Sequence, residues 1–176
     1  MSVQKQKMNK VEKDLIKVMP AEIGDMESLT DVVNAAYKLE LGDTGIAFKN
    51  ADRFTSVQDA LDMKDDLYVA KIGTDIVGAI GITMGTDSAI LGPVAVSPHV
   101  QGCGVGGVLL GFAESLHRVT EVGVVSCRTD ILPMYEKRGY KEVRVNRLED
   151  EDIGELQWTT REGLTIMYMR KINWDE

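Results

Sequence analysis

Residues 92–107 read GPVAVSPHVQGCGVGG, and the fold of the whole chain turns on how this stretch is read. An extended run, Val94-Ala95-Val96, is followed by Ser97-Pro98-His99-Val100 and then by Gly102, Gly104, Gly106 and Gly107. Glycine accepts positive φ and lets a ligand come close to backbone amides. Several N–H groups at the start of a helix bind an anion without any basic side chain. A plain turn into a helix needs fewer glycines, so this density points to a bound phosphate, and a pyrophosphate is the natural guest.

Three phosphate loops compete for the stretch. Gly102, Gly104 and Gly107 fit G-x-G-x-x-G, and Asp130 stands about 20 residues further on, as in a dinucleotide-binding turn. That turn leaves its strand at once, whereas Ser97 to Gln101 intervene here. It also needs parallel βαβ units, whereas residues 67–96 read as consecutive hairpins. A P-loop is excluded because no Lys–Ser/Thr pair follows the glycines.

Upstream, a first strand is expected at 15–22, then a helix capped by Asp25 and running to about Leu39. Met26, Leu29, Val32, Val33, Ala36 and Tyr37 fall on one face of that helix. A capping-box spacing, Thr55 and Gln58, starts a second helix that ends near Met63. Strands follow at 67–73, 76–84 and 88–96. The third contains Gly92-Pro93; proline cannot donate to a ladder, and glycine marks a bulge or a close approach.

Downstream, a helix is expected from about Gly104 to Val119 and a buried strand at 121–127. A short helix at 131–138 has Pro133 in its first turn and Gly139 at its end. Strands at 140–146 and 164–172 close the chain. Helices on a mixed sheet with hairpins give an α+β (mixed α/β) architecture. Residues 1–13 read as a disordered arm and 14–176 as one domain.

Composition narrows the function. With 20 basic and 28 acidic residues the chain carries −8, which opposes binding to a nucleic-acid backbone. There is no apolar run of spanning length and no secretory signal, so a cytoplasmic protein without a membrane segment is expected. The two cysteines, Cys103 and Cys127, read as free thiols in a reducing compartment. His99, Cys103, His117 and Cys127 match no zinc spacing, so no metal is expected.

VAVSPHVQGCGVGGVLL resembles the acetyl-coenzyme A signature of the GNAT superfamily of N-acetyltransferases, with Gln101, Gly104 and Gly106 at the signature positions. MYEKRGY (134–140) is similar to a second element of that family, and the order of elements agrees from 15 to 172. The resemblance implies a GNAT-like fold whose parallel strands 88–96 and 121–127 splay to admit a pantetheine arm. It implies coenzyme contacts from Val94, Ala95 and Val96 and from the backbone of Gln101, Gly102, Cys103, Gly104, Val105 and Gly106.

It further implies direct acetyl transfer to an amine of a small molecule or peptide. The N–H of Val96 would serve the carbonyl oxygen, and Tyr135 would be the general acid. Two departures stand out: residues 90–93 hold no carboxylate, and Arg128 occupies a position where many members have Asn. Asp130, Asp87, Glu40 or a water chain remain open as the base. The acceptor region falls on 40–54 and 147–163, with Glu40, Asp43, Glu149, Asp150, Glu151, Asp152 and Trp158. A coenzyme A sensor that has lost turnover is the rival reading, an NAD(P) oxidoreductase the third. A homodimer through the C-terminal strands fits the fold.

Overall fold

The computed structural model describes residues 14–38, 52–126, 128–147 and 163–175. The expected arm at 1–13 lies outside them, as do Cys127 and most of the acceptor region at 40–54 and 147–163, of which only 52–54, 147 and 163 are described. The strands are β1 (Ile16–Pro20), β2 (Leu67–Ile72), β3 (Asp75–Met84), β4 (Ala89–Val96), β5 (Val119–Val125), β6 (Lys141–Arg147) and β7 (Thr165–Ile172). The helices are α1 (Met26–Lys38), α2 (Val57–Asp62), α3 (Val105–Leu116) and α4 (Leu132–Lys137). The strands form one sheet in the order β1-β2-β3-β4-β5-β7-β6, antiparallel except for the β4–β5 pair.

Two apolar clusters sandwich this sheet. On one face Met26, Leu29 and Val33 of α1 and Ala60 of α2 pack on Leu67, Val69, Ala79 and Ala95. On the other, Val105, Leu109, Leu110 and Ala113 of α3 pack with Ile80, Leu91, Val122, Val124, Tyr135 and Tyr140. Of the stripe that helical spacing predicts here, Leu109, Leu110 and Ala113 face the core, whereas Leu116 is exposed at the helix end.

Helix starts differ from the sequence expectation by small shifts with clear causes. Asp25 is not the N-cap of α1 but the last residue of a 3-10 turn, Ile23–Asp25. Its carboxylate accepts from the Glu22 N–H at 3.0 Å and pairs with Lys71 Nζ at 2.7 Å, which ties the helix start to β2. For α2 the cap is Ser56, with Asp59 in the role expected of Gln58. Asp59 accepts from the N–H and Oγ1 of Thr55, each at 2.7 Å, because a carboxylate makes stronger bonds here than a neutral amide.

Helix α3 stops at Leu116 instead of running to Val119, and β5 begins two residues before the expected 121. The Asn173 side chain donates to the His117 carbonyl at 2.7 Å, and its N–H donates to the Arg118 carbonyl at 2.8 Å. A residue near the far end of the chain therefore ends the helix, which local periodicity does not reveal.

Asn34 holds the segment leading to α2 against α1. Its amide donates to the Phe54 carbonyl at 2.8 Å and accepts from the Phe54 N–H at 2.9 Å, with the Phe54 ring buried. Asn34→Ala leaves both groups without that partner. We expect a loss of about 2 kcal/mol, seen as a lower urea midpoint at unchanged slope.

Candidate active site

The β4–β5 pair is short. Ala89, Ile90 and Leu91 align with Thr120, Glu121 and Val122, and the pairing stops there. The stop coincides with Gly92-Pro93, as the sequence suggests. On the other side of β4, Ile80 pairs with Val94 and Ile82 with Leu91, so Gly92 and Pro93 together face the single residue Gly81. Such a bulge bends its strand. It requires glycine at 81: a Cβ there would clash with the Gly92 carbonyl oxygen.

Beyond the bulge, strand alternation decides where the amides point. The Ser97 N–H donates to the Val77 carbonyl on β3 at 2.9 Å. Alternate residues of a strand direct their N–H and C=O to opposite edges. Ala95 therefore serves β3 with Ser97, and the backbone groups of Val94 and Val96 turn to the opening beside β5. In keeping with this, the Val96 carbonyl accepts from Gln101 Nε2 at 3.3 Å and not from β3.

The glycine stretch folds as a compact turn into α3. A 3-10 turn, Pro98–Val100, is followed by Gly102 and Gly104 at φ of 78° and 92°. Gly104 is the N-cap, and the first helical bond is Val108 N–H to the Gly104 carbonyl at 3.1 Å. The N–H groups of Val105, Gly106 and Gly107 precede that bond and have no partner within the helix. A Cβ at Gly106 would lie 3.6 Å from Val96, so this helix start is seated on the end of β4. Cys103 differs from its neighbours: its N–H donates to the Val100 carbonyl at 3.2 Å and its side chain is buried. Its amide is therefore engaged inside the turn.

Tyr135 lies in the same side-chain cluster as Leu91 and Val122, the last residues of the β4–β5 pairing, and Val94 and Val96 pack against that cluster. Its ring meets that of Tyr140 edge to face, with centroids 5.4 Å apart. Burial pushes its phenol well above the usual tyrosine range; Tyr37 and Tyr140 add to this, and Arg128 and Arg138 oppose it. Tyr37 belongs to α1 on the opposite face of the sheet, and the opening between β4 and β5 lies between the two faces. The sequence shows Tyr37 only as one residue of a helical stripe, so its electrostatic effect on Tyr135 is visible only in the fold.

Two of the carboxylates considered as bases, Asp130 and Asp87, are engaged with arginines. Asp130 takes two bonds from Arg128, at 2.9 and 3.1 Å, and these hold its carboxyl below the usual range despite partial burial. Asp87 accepts from Arg170 at 3.1 and 3.3 Å. Sequence reasoning missed Glu121, a carboxylate buried in β5 that accepts from Arg144 at 2.9 Å and from Arg170 at 2.8 and 3.1 Å. Two arginines on adjacent strands balance its charge, and no local motif announces it. Glu40, Asp43, Glu149 to Asp152 and Trp158 lie outside the described residues. Among the described residues no three His, Cys, Asp or Glu side chains converge as a metal site would require. No helix among them is long and apolar enough to cross a membrane.

Residues 64–142 match the family model for the acetyltransferase (GNAT) domain. No curated protein matches the sequence. Among solved structures, the ribosomal-protein-S18-alanine N-acetyltransferase of Escherichia coli superposes with a TM-score of 0.65 at 15% identity, covering 92% of this chain and 96% of its own. Ard1 of Thermoplasma volcanium gives 0.66 at 15% identity over 92% and 99%. The protein yncA of Salmonella typhimurium, solved with its cofactor acetyl-CoA, gives 0.66 at 16% identity over 92% and 95%. At such identities the likeness is one of fold.

Proposed function

We propose, from the match of residues 64–142 to the acetyltransferase (GNAT) domain, that this chain transfers the acetyl group of acetyl-coenzyme A directly to a primary amine of a small molecule or peptide. One observation carries the reading: β4 and β5 part after Leu91 and Val122, and the freed edge of β4 leads straight into the amides of α3. A pyrophosphate fits the unpartnered N–H groups at Val105, Gly106 and Gly107, together with the positive φ at Gly102 and Gly104. An arm bearing amides fits the edge groups of Val94 and Val96 as a peptide fits a strand edge.

The coenzyme supplies an acetyl group activated as a thioester. The chain's own part is to orient it and to meet the charge that develops. The Val96 N–H donates to the thioester oxygen. Tyr135 donates its phenolic proton to the departing sulfur. At its ordinary pKa the phenol is nearly matched to a thiol; burial moves it away from that match, so its hydrogen bond to sulfur precedes full transfer. Arg128 and Arg138 offset part of the shift.

The rival is a coenzyme A sensor with little turnover. It is favoured by the engagement of Asp87 and Asp130 with arginines and by the absence of a carboxylate at 90–93. Thermal unfolding with acetyl-coenzyme A, coenzyme A, NAD and NADP in parallel tests the site first. A ligand at 100 times its Kd adds about 2.7 kcal/mol, a rise of roughly 5–10 °C at this size. Stabilisation by both coenzyme A forms alone supports the reading, and stabilisation by NAD or NADP alone overturns it. Thiol release from acetyl-coenzyme A that rises across a panel of amines then separates transferase from sensor.

Gly104 offers a sharper check on the loop. At φ of 92° an alanine is strained, by about 1–2 kcal/mol. Gly104→Ala is expected to lower coenzyme A affinity about tenfold, which is about 1.4 kcal/mol, as read by calorimetric titration.

A further inference from the structure

We propose that Tyr140 is the positioning residue for Tyr135, fixed at its far end by Glu114 and Thr120; the inference rests on the reading of Tyr135 as proton donor. The ring of Tyr140 is fully buried and meets Tyr135 at an interplanar angle of 75°. The Tyr140 N–H also donates to the Tyr135 carbonyl at 3.1 Å, closing the turn between them. If filling space were the whole task, phenylalanine would fill it without burying a hydroxyl.

The hydroxyl is instead held by a directed chain. An ionised carboxylate only accepts, so the Tyr140 O–H donates to Glu114 Oε1 at 3.2 Å. The Thr120 hydroxyl, 3.0 Å away, then donates to the Tyr140 oxygen and accepts from Asn173 Nδ2 at 3.2 Å. Glu114 is anchored in turn by Arg138, at 3.0 and 2.7 Å, and by Lys171 at 3.0 Å. Burial favours its neutral form, but these bonds outweigh that and keep its carboxyl below the usual range. Bonds at the hydroxyl end and at the backbone leave the Tyr140 ring one orientation, and the Tyr135 ring packs against it.

The same network spans both halves of the site. Glu114 stands on α3, whose first turn presents the amides, and Arg138 follows α4, which carries Tyr135. The Arg138 guanidinium lies along α3 over Gly107 and Gly111, where a Cβ would be 3.7 Å from its nitrogens. Small residues at these positions let the proton-donor helix sit tightly on the coenzyme helix.

A double-mutant cycle tests the proposal. The rate is thiol release from acetyl-coenzyme A with the fastest of agmatine, spermidine and an alanine-initiated peptide, or with water where no amine exceeds it. Tyr135→Phe is expected to lower the rate about 100-fold and Tyr140→Phe about tenfold, with KM for acetyl-coenzyme A within about twofold. In the Tyr135→Phe background, Tyr140→Phe should produce no further loss, because it acts only through Tyr135. Multiplying losses, a raised KM or a silent Tyr140→Phe overturns the proposal while leaving Tyr135 in place. A silent Tyr135→Phe, or no release above buffer, overturns the proton-donor reading itself and the proposal with it. Glu114→Gln, which keeps the Tyr140 ring, repeats the cycle should Tyr140→Phe fail to fold, with the same outcomes deciding.

Discussion

Tyr135→Phe is expected to lower kcat about 100-fold, or about 2.7 kcal/mol of barrier, with the coenzyme's affinity unchanged. The phenol is buried in the cluster of Leu91, Val122 and Tyr140, so phenylalanine keeps its volume and contacts and removes only the proton. The pH profile carries a second signature. A general acid works in its protonated form, and burial raises the Tyr135 pKa above the ordinary tyrosine value of about 10. The rate should therefore show no decline from loss of this proton between about pH 8 and 10. A fall in that window that Tyr135→Phe abolishes would show a phenol far less shielded than the fold makes it.

Gly81→Ala carries the largest expected effect on stability. Its Cβ would clash with the Gly92 carbonyl oxygen and lie 2.8 Å from the carbonyl carbon, both backbone atoms in the middle of the sheet. No rotamer relieves such a contact, so β3 or the bulge must move. A cost of about 3 kcal/mol corresponds to a fall of roughly 6–12 °C in Tm. Because the displaced group belongs to the bulge that opens β4 from β5, stabilisation by coenzyme A should disappear with it. Gly92→Ala is the control: a Cβ there meets nothing within 4 Å, so stability should stay within about 0.5 kcal/mol. Equal stability losses in the two variants would show that the bulge does not depend on close approach at Gly81.

Much of the fold is legible along the chain because its cues are local. Among the described residues, period-two and helical patterns placed the seven strands and four α-helices. Gly92-Pro93 marked the place where β4 leaves β5, since a proline cannot join a ladder wherever it sits. The glycines at 102 and 104 announced their positive φ. Tyr135 was singled out only by the resemblance of MYEKRGY to a family element, not by any local physical cue; it lies in the short helix α4.

What remained hidden depends on partners distant in sequence. Asn173 ends α3, Lys71 ties down the start of α1, and Arg144 and Arg170 make a buried Glu121 tolerable. The Tyr140 hydroxyl finds Glu114 26 residues away. Asp87 and Asp130 read alike as acids in the sequence, and only the fold engages each with an arginine. Sequence pattern by itself determined which segments fold and where the backbone bends, because those follow from φ/ψ preferences and local burial. The tertiary structure alone decided which charges are neutralised and which tyrosine steers another, because ion pairs and hydrogen bonds form by distance in space, to which neighbours along the chain are blind.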